Sequence, residues 1–227
     1  MKTINFKQPQ TFKPQTLTHS YIAIEGNIGA GKTSLVSLLG KKWAARTLFE
    51  TFENNPFLAD FYKNQQKNAF PLEMFFLAER YKQLTAFGAG QHTLFENQLV
   101  SDYQILKSQI FASFTLENHE FELFKRFYEA IEKQVALPGM VIYIHREVPF
   151  LLKQIARRGR GYESYISPQY LEKVELGYIQ AFKQETRMPV LIVNCGETDF
   201  FEPGVLEVLI GKVFTQNWSK GMQILDL

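Results

Sequence analysis

The sequence lacks the features that mark secreted and membrane-embedded proteins. Its 227 residues contain one cysteine, Cys195, which excludes a framework of intrachain disulfides and is expected to be a buried, reduced thiol. No stretch approaches the roughly 18 consecutive apolar residues of a membrane span. Residues 1–20 have no apolar core of the kind found in signal peptides. We therefore expect a cytoplasmic protein without a membrane partner.

An excess of charge of one sign is also absent. The 25 Lys and Arg residues nearly balance the 23 Asp and Glu residues, and the net charge of +2 argues against a bulk nucleic-acid partner. Aromatic residues, by contrast, are abundant: 21 Phe and 10 Tyr predict an aromatic-rich core or pocket. The length suits one domain. We predict a flexible N-terminal tail over 1–18, containing Gln, Thr and Pro, and a single domain over 19–227.

The most informative stretch is Gly26-Asn27-Ile28-Gly29-Ala30-Gly31-Lys32-Thr33. It follows a short apolar run and precedes apolar residues at helical spacing, which is the context of a phosphate-binding loop. The glycines allow successive backbone N–H groups to face a phosphate chain at a helix N-terminus. Lys32 can reach the β and γ phosphates, and Thr33 offers a hydroxyl to Mg²⁺. The stretch predicts binding of a nucleoside triphosphate.

Short apolar runs alternate with helical patterns along the rest of the chain. We predict strands at 21–24, 48–50, 98–102, 140–144 and 190–193, the last being the final strand. We predict helices at 34–46, from Pro56, at 71–85, 103–114 and 118–135, from Pro149 to Arg157, from Ser167 and from Pro203. Strands alternating with helices indicate an α/β fold with a parallel β-sheet flanked by helices.

Two acidic residues follow predicted strands. Ligands of open α/β sheets bind at the carboxyl ends of the strands, which is where Glu50 and Asp102 are expected. One carboxylate can accept the proton of an alcohol while another helps to hold Mg²⁺. Each residue taken alone is equally compatible with a helix N-cap or a surface acid.

The cluster Arg157, Arg158 and Arg160 is interleaved with Gly159 and Gly161. A solvated charge run is one interpretation of this pattern. A flexible basic segment over a phosphate site is typical of a lid, and guanidinium groups fit phosphate oxygens. Given the phosphate loop, we predict an arginine-rich lid.

On the helix predicted for 71–85, Glu73 and Arg80 are two turns apart and share a face with Phe76. An acid and a guanidinium flanking an aromatic ring can read the edge of a flat base while the ring stacks on it. A surface ion pair at the edge of a core helix is the commoner arrangement for such residues.

Together these motifs resemble the deoxynucleoside kinase family, in the group that phosphorylates deoxyadenosine, deoxyguanosine and deoxycytidine. The resemblance covers about residues 19–214 and implies a P-loop kinase fold. It rests on an ordered set: the phosphate loop, Glu50, residues 53–57 (Glu-Asn-Asn-Pro-Phe), Tyr62, Glu73, Arg80, residues 101–103 (Ser-Asp-Tyr), Ile110-Phe111, Arg158-Gly159-Arg160, Glu163 and Asp199-Phe200.

The resemblance also implies roles. The acid matching Glu50 is the base toward the 5′-hydroxyl of the deoxyribose, and Asp102 organises Mg²⁺ and the phosphates. Tyr62 and Glu163 match residues that bind the sugar 3′-hydroxyl. Arg158 and Arg160 match the lid arginines, and Asp199 and Phe200 lie beside the base of the phosphate donor. The family is usually dimeric through helices like those predicted for 56–133, so a homodimer is expected.

Four positions depart from the family. Tyr103 and Gln154 stand where arginines are common, so Arg157 or Lys153 is a candidate to compensate. Ser108 replaces an aspartate near the base, and Glu73 stands where a glutamine commonly reads it. An ionised glutamate only accepts hydrogen bonds, which suits the paired N1–H and N2–H₂ donors of guanine. Arg80 would then donate to guanine O6 or N7.

The sequence therefore predicts an enzyme that uses Mg·ATP to phosphorylate a deoxynucleoside, with deoxyguanosine preferred over deoxyadenosine. Two alternatives are open. A thymidylate-kinase-like enzyme would need cations at its acceptor site, where this chain has Glu50, Glu73 and Glu163. A phosphate-loop module that regulates a partner without catalysis would have no need for the base, lid and metal candidates together.

Overall fold

In the computed structural model of the chain, the described residues are 19–52, 55–89 and 98–227. The predicted tail, 1–18, lies outside them, as do Glu53 and Asn54 of the family-like segment 53–57. Within the described part, no helix is both long and apolar enough to cross a bilayer.

Six parallel strands form one sheet, in the order β2-β3-β1-β4-β5-β6. Their bounds are β1 Tyr21–Gly26, β2 Arg46–Leu48, β3 Leu99–Ser101, β4 Met140–His145, β5 Pro189–Asn194 and β6 Gly221–Asp226. Every residue of β1 is buried, as are five of the six in β4, because helices cover both faces of these central strands. The predicted parallel α/β fold is confirmed.

Eight α-helices connect and cover the strands in the described part of the chain. They are α1 Lys32–Trp43, α2 Leu58–Lys63, α3 Gln65–Ala89, α4 Leu106–Thr115, α5 Asn118–Glu132, α6 Val148–Arg158, α7 Pro168–Gln184 and α8 Val205–Phe214. A short 3₁₀ helix, Gly161–Tyr165, lies between α6 and α7. Local signals set several ends: Ser167 caps α7 by accepting from the backbone N–H of Tyr170, and α6 ends at Gly159 with φ +68°.

Three predictions of secondary structure were wrong. Residues 190–193 are not in the final strand, because β6 pairs in parallel with β5 from Gly221 to Asp226. Helix α3 begins at Gln65 instead of Pro71, since Ala69 and Leu72 on either side of the proline are buried in the core and hold the helix through it. Strand β2 ends at Leu48, two residues before Glu50, because its pairing with β3 ends at Ser101.

The strand order brings the predicted chemistry to one edge of the sheet. β1 is hydrogen-bonded to β3, and β3 to β2, so their carboxyl ends are adjacent. The phosphate loop follows β1, Glu50 follows β2 and Asp102 follows β3. Because parallel strands end at a common edge, three segments distant in sequence meet there.

Candidate active site

The phosphate loop curls tightly between β1 and α1. Gly29 and Gly31 have φ values of +84° and +95°, and a Cβ at Gly29 would lie 2.9 Å from the carbonyl oxygen of Leu151. Glycine is therefore required at Gly29 both for its conformation and for the close backbone approach. The Lys32 ammonium donates to the carbonyl oxygens of Gly26, at 3.0 Å, and Asn27, at 2.9 Å. Burial, reinforced by the charge of Lys107, lowers the pKa of Lys32 to about 8.

Asp102 links the phosphate loop to the segment after β2. Its Oδ2 accepts from the Thr33 hydroxyl at 2.8 Å, and its Oδ1 accepts from the backbone N–H of Glu50 at 2.7 Å. A hydroxyl and a carboxylate next to a phosphate loop are the hard oxygen ligands that suit Mg²⁺, which takes few protein ligands and completes its shell with phosphate and water. The pair Thr33 and Asp102 therefore fits the predicted metal site.

Glu50 is held by two cations. Its Oε1 accepts from Nε of Arg80 at 3.0 Å and from Nη2 at 2.5 Å, and its Oε2 accepts from the Lys107 ammonium at 2.5 Å. Burial opposes ionisation of Glu50, but the charges of Lys107 and Arg80 outweigh it and hold the pKa at about 2. Glu50 is thus a fixed, ionised acceptor at every pH where the protein would work.

Glu73 has a different environment, although it lies on the same helix as Arg80. Its Oε1 accepts from the Thr115 hydroxyl at 3.1 Å, whereas its Oε2 is buried and has no hydrogen-bond partner among the described residues. Burial raises the pKa of Glu73 to about 7, against the charge of Arg80. Arg80 is directed to Glu50 and to the Ser108 hydroxyl, at 2.7 Å, so no direct ion pair joins it to Glu73 in the described part.

The arginines at the end of α6 converge on Glu163. Arg158 binds its carboxylate in a fork, at 3.0 Å and 2.5 Å, and Arg160 lies 3.5 Å away. Tyr62 stacks on Tyr162 with ring centroids 6.1 Å apart, and burial followed by the charge of Glu163 raises the pKa of Tyr62. Glu163 is buried, with 5% of its surface exposed. A residue expected to bind the sugar therefore also contacts both predicted lid arginines from a buried position.

These groups line one cavity of about 120 Å³. From the phosphate loop it includes Lys32 and Thr33, and from the strand ends Glu50 and Asp102. Its other predicted members are Tyr62, Glu73, Phe76, Arg80, Arg158, Arg160 and Glu163. The Arg80 guanidinium lies over the Phe76 ring, 4.9 Å from its centroid. The structure therefore collects every residue predicted to bind the acceptor or to act on it.

Asp199 and Phe200 line a second cleft, of about 420 Å³, on the other side of the phosphate loop. Here the Arg146 guanidinium lies 4.6 Å from the ring centroid of Phe150 and 5.0 Å from that of Phe200. Arg146 also donates to the carbonyl oxygens of Gly196, at 2.8 Å, and Thr198, at 2.6 Å. Arg146, Phe150 and Phe200 thus form an aromatic and cationic wall of a cleft that borders the phosphate loop and does not include Glu50.

Comparison with known proteins agrees with this geometry. Residues 22–213 match the family model described as deoxynucleoside kinase. The chain belongs to the deoxynucleoside kinase family. It is 40% identical to a deoxyguanosine kinase of Bacillus subtilis over 188 residues, which cover 81% of this chain and 90% of that protein. It is 27% identical to a deoxyadenosine kinase of Dictyostelium discoideum over 214 residues, covering 91% and 84% of the two chains.

A solved structure is also similar to this kinase. The deoxyadenosine kinase of M. mycoides, described with the products dCMP and a flexible dCDP bound, superposes with a TM-score of 0.72 at 26% identity. The similarity covers 85% of this chain and 98% of that one. The predicted family, P-loop kinase fold and enzyme class are confirmed, and the non-catalytic and thymidylate-kinase-like alternatives give way to a deoxynucleoside kinase.

At Tyr103, where the family commonly has an arginine, the side chain of this kinase is fully buried and its hydroxyl donates to Gln83. Besides Arg80, the cation in contact with Glu50 is Lys107, four residues further along the chain than Tyr103. The candidates named from sequence to compensate, Arg157 and Lys153, both line the cleft containing Phe200. The sequence did carry a signal for Lys107: it lies four residues, about one helical turn, after Tyr103 in the helix predicted for 103–114, so both side chains share a face.

Three other residues contact the two cavities' side chains or the elements that carry them, and they had a weak signal or none in the sequence. Glu25, at the end of β1, is fully buried and accepts from the Tyr178 hydroxyl at 2.8 Å and the backbone N–H of Gln104 at 2.9 Å. Arg146 follows β4 directly, so its signal was the same location after a strand that pointed to Asp102 after β3. Thr115 had no signal, because its contact with Glu73 joins two helices 42 residues apart.

Proposed function

We propose that this deoxynucleoside kinase transfers the γ-phosphoryl group of Mg·ATP to the 5′-hydroxyl of a purine deoxynucleoside in nucleotide salvage, with deoxyguanosine preferred over deoxyadenosine. The observation that carries the preference is Glu73: a buried carboxylate whose Oε2 lacks a partner in the described part and which lines the acceptor cavity. A buried polar atom without a partner is costly, so a ligand that completes its hydrogen bonding is favoured.

Guanine matches this carboxylate better than adenine does. Its N1–H and N2–H₂ groups are neighbouring donors, which an ionised carboxylate accepts in a charge-assisted pair. Adenine presents an N1 acceptor next to its N6 donor, so it requires Glu73 to be protonated. With the pKa of Glu73 near 7, the ionised and the protonated carboxyl are both populated. The site should therefore prefer guanine and still accept adenine. The name of the Bacillus subtilis relative, deoxyguanosine kinase, supports the same proposal.

The other residues take the roles that their positions suggest. Lys32 clamps the phosphates, Glu50 accepts the 5′ proton, and Tyr62 with Glu163 binds the 3′-hydroxyl. Thr33 and Asp102 would hold Mg²⁺, which when bound neutralises phosphate charge. Arg158 and Arg160 form the lid, and Asp199 and Phe200 border the base of ATP. Transfer in such a site depends mainly on positioning and electrostatic stabilisation.

The experiment compares kcat/KM for the four common deoxynucleosides with ATP in the wild type and in Glu73→Gln. We expect deoxyguanosine to be the best substrate of the wild type. The glutamine donates and accepts at once, so the ratio of kcat/KM should move toward deoxyadenosine by about tenfold, equivalent to one hydrogen bond. Glu79→Gln, on the same helix, is the matched control and should leave the ratio unchanged. An unchanged ratio in Glu73→Gln would overturn the assignment of Glu73.

The remaining expectations concern the whole molecule. We propose one kinase domain over 19–227 following a tail at 1–18, a homodimer, and a cytoplasmic location, where the buried Cys195 thiol stays reduced. The exposed Leu123 and Phe127 of α5, which lie within the helices expected to form the dimer, support the homodimer. Light scattering of the wild type should give twice the 26.4 kDa chain mass, and a monomer would refute the homodimer.

A further inference from the structure

Lys107 has no role in the reaction described so far. It is the second residue of α4 and is buried, with its ammonium 5.7 Å from the centroid of the Phe111 ring and 2.5 Å from Oε2 of Glu50. A buried ammonium is costly unless it is paired, and Glu50 is the partner that offsets this cost. The chain therefore places a cation directly on the carboxylate proposed as the base.

The position of Lys107 relative to the phosphate loop is the second observation. Lys107 and Lys32 line the same cavity, and the charge of Lys107 contributes to lowering the pKa of Lys32. Two ammonium groups thus lie close together in one buried space, with Glu50 beside one of them. An anion that enters the space between the phosphate loop and Glu50 would meet these two ammonium groups, which offset the nearby carboxylates of Glu50 and Asp102.

The third observation is the number of hydrogen bonds that Lys107 and Glu50 make. An ammonium has three donors, and in the described part of the chain Lys107 uses one of them, toward Glu50. Both acceptor sites of Glu50 Oε1 are taken by Arg80, whereas Oε2 accepts from Lys107 alone among the described residues and keeps one site open there. A hydroxyl that donates to Glu50 must therefore approach Oε2, and its oxygen comes next to the unused donors of Lys107.

We propose that Lys107 is a catalytic residue, whose ammonium hydrogen-bonds the phosphoryl group as it passes from ATP to the hydroxyl held by Glu50. This rests on the role proposed for Glu50. The 5′-oxygen forms a bond to the γ-phosphorus while the bond from that phosphorus to the β–γ bridging oxygen breaks, its electron pair leaving with ADP. The 5′ proton goes to Glu50 Oε2. Lys107 stays protonated and stabilises the charge on the transferring oxygens.

The test compares Lys107→Met, which removes the charge, with Lys107→Arg, which keeps it. We expect Lys107→Met to lower kcat by about 100-fold or more, as removal of one transition-state donor does in other enzymes, with the deoxynucleoside KM changed by less than about threefold. Lys107→Arg should retain most of the activity. Lys125→Met, on the exposed face of α5, is the matched control. A kcat within about threefold of the wild type in folded Lys107→Met would overturn the proposal.

A pH profile separates direct action from an effect on Glu50 alone. The charged and titratable groups facing Glu50 are Lys32 of α1, Glu73 and Arg80 of α3, Asp102 and Tyr103 after β3, Lys107 of α4 and Tyr178 of α7. Without Lys107 the pKa of Glu50 rises, so an effect on ionisation alone would disappear as the pH rises. Direct action predicts that the loss of kcat stays constant from pH 5.5 to 7.5, a range below the pKa of about 8 of Lys32, and full recovery by pH 7.5 would overturn it.

A variant that does not fold, a failure of the proposed function and a failure of the role of Glu50 can each be told apart from a failure of the proposal for Lys107. If Lys107→Met does not fold, as judged by circular dichroism, Lys107→Gln replaces it, because its amide still donates to Glu50 Oε2 without a charge. The proposed function fails separately, if the wild type phosphorylates no deoxynucleoside. The role of Glu50 also fails separately, if Glu50→Gln is fully active while Lys107→Met is not.

Discussion

Arg80 and Glu50 are 30 residues apart in the chain and form a buried ion pair, in which Nη2 lies 2.5 Å from Oε1. This pair gives the two acids Glu50 and Glu73 different environments in the cavity. Because Lys107 and Arg80 are both directed to Glu50, that carboxylate is held ionised. Glu73, seven residues before Arg80, keeps an oxygen without a partner in the described part and a raised pKa. Arg80 thus pairs with Glu50, the acid proposed for chemistry, and forms no ion pair in the described part with Glu73, the acid proposed for recognition.

Glu50→Gln should affect chemistry more than binding. The amide keeps the shape of the side chain but accepts the 5′ proton poorly, so kcat should fall by about 10²–10⁴-fold, with a small change in the deoxynucleoside KM. Steady-state kinetics with deoxyguanosine measures both. Glu129→Gln, on the exposed side of α5, is the matched control. A near-normal kcat in the Glu50 variant would refute the role of Glu50 as base.

The arginines proposed to form the lid should act on the transferring phosphoryl group. Because this charge develops during transfer, Arg158→Ala and Arg160→Ala should each lower kcat by more than they raise the deoxynucleoside KM. Lys173→Ala, which removes an exposed cation of α7, is the control. The structure adds a difference between the two variants: Arg158 forms the fork with Glu163, so its removal should disturb KM more than removal of Arg160. Effects confined to KM would make both arginines substrate-binding residues only.

The sugar 3′-hydroxyl should be recognised through Tyr62 and Glu163. A 2′,3′-dideoxynucleoside leaves these buried groups without their partner, at a cost of about 1–3 kcal/mol, or roughly 5- to 150-fold in kcat/KM. Tyr62→Phe should therefore narrow the discrimination between deoxyguanosine and dideoxyguanosine. Tyr165→Phe, an exposed tyrosine of the 3₁₀ helix, should leave the discrimination unchanged. Equal efficiency of the wild type on both substrates is the contrary outcome.

Glu73 should make the stability of the protein depend on pH. Burial raises its pKa from 4.5 to about 7 in the folded state, so folding is coupled to proton uptake between these values. The stability that Glu73 contributes is fully present below pH 4.5 and is lost as the pH rises through 7. Between pH 4.5 and 8 the wild type should lose about 3 kcal/mol relative to Glu73→Gln, because each pKa unit corresponds to about 1.4 kcal/mol.

The measurement is urea unfolding of both proteins across this pH range in the absence of nucleoside. Using the difference between wild type and Glu73→Gln removes the contributions of the other titrating groups. If the free energies of unfolding of the two proteins change in parallel with pH, Glu73 ionises in the folded state as it does in the unfolded chain. In that case the unpartnered Oε2 would have to be solvated, and the base preference would lose its physical basis.

Much of the site could be predicted from local sequence. The phosphate loop is a contiguous motif whose glycines, lysine and threonine specify their own geometry, so Lys32 and Thr33 were identified without any tertiary information. Glu50 and Asp102 could be predicted because parallel strands end at one edge of the sheet. Strand β6 could not be predicted, because a half-exposed edge strand gains its structure from pairing with β5 and carries little pattern of its own.

What only the tertiary structure decided is which charge faces which. Helical periodicity placed Glu73 and Arg80 on one face of a helix, as found, but it could not show that Arg80 turns to Glu50 from a distant segment. Nor could it show that Lys107 pairs with Glu50, or that Thr115 takes one oxygen of Glu73 and leaves the other without a partner in the described part. Local sequence determines backbone conformation and the register of a face. The pairing of buried charges depends on long-range packing, which brings together groups that no sequence spacing connects.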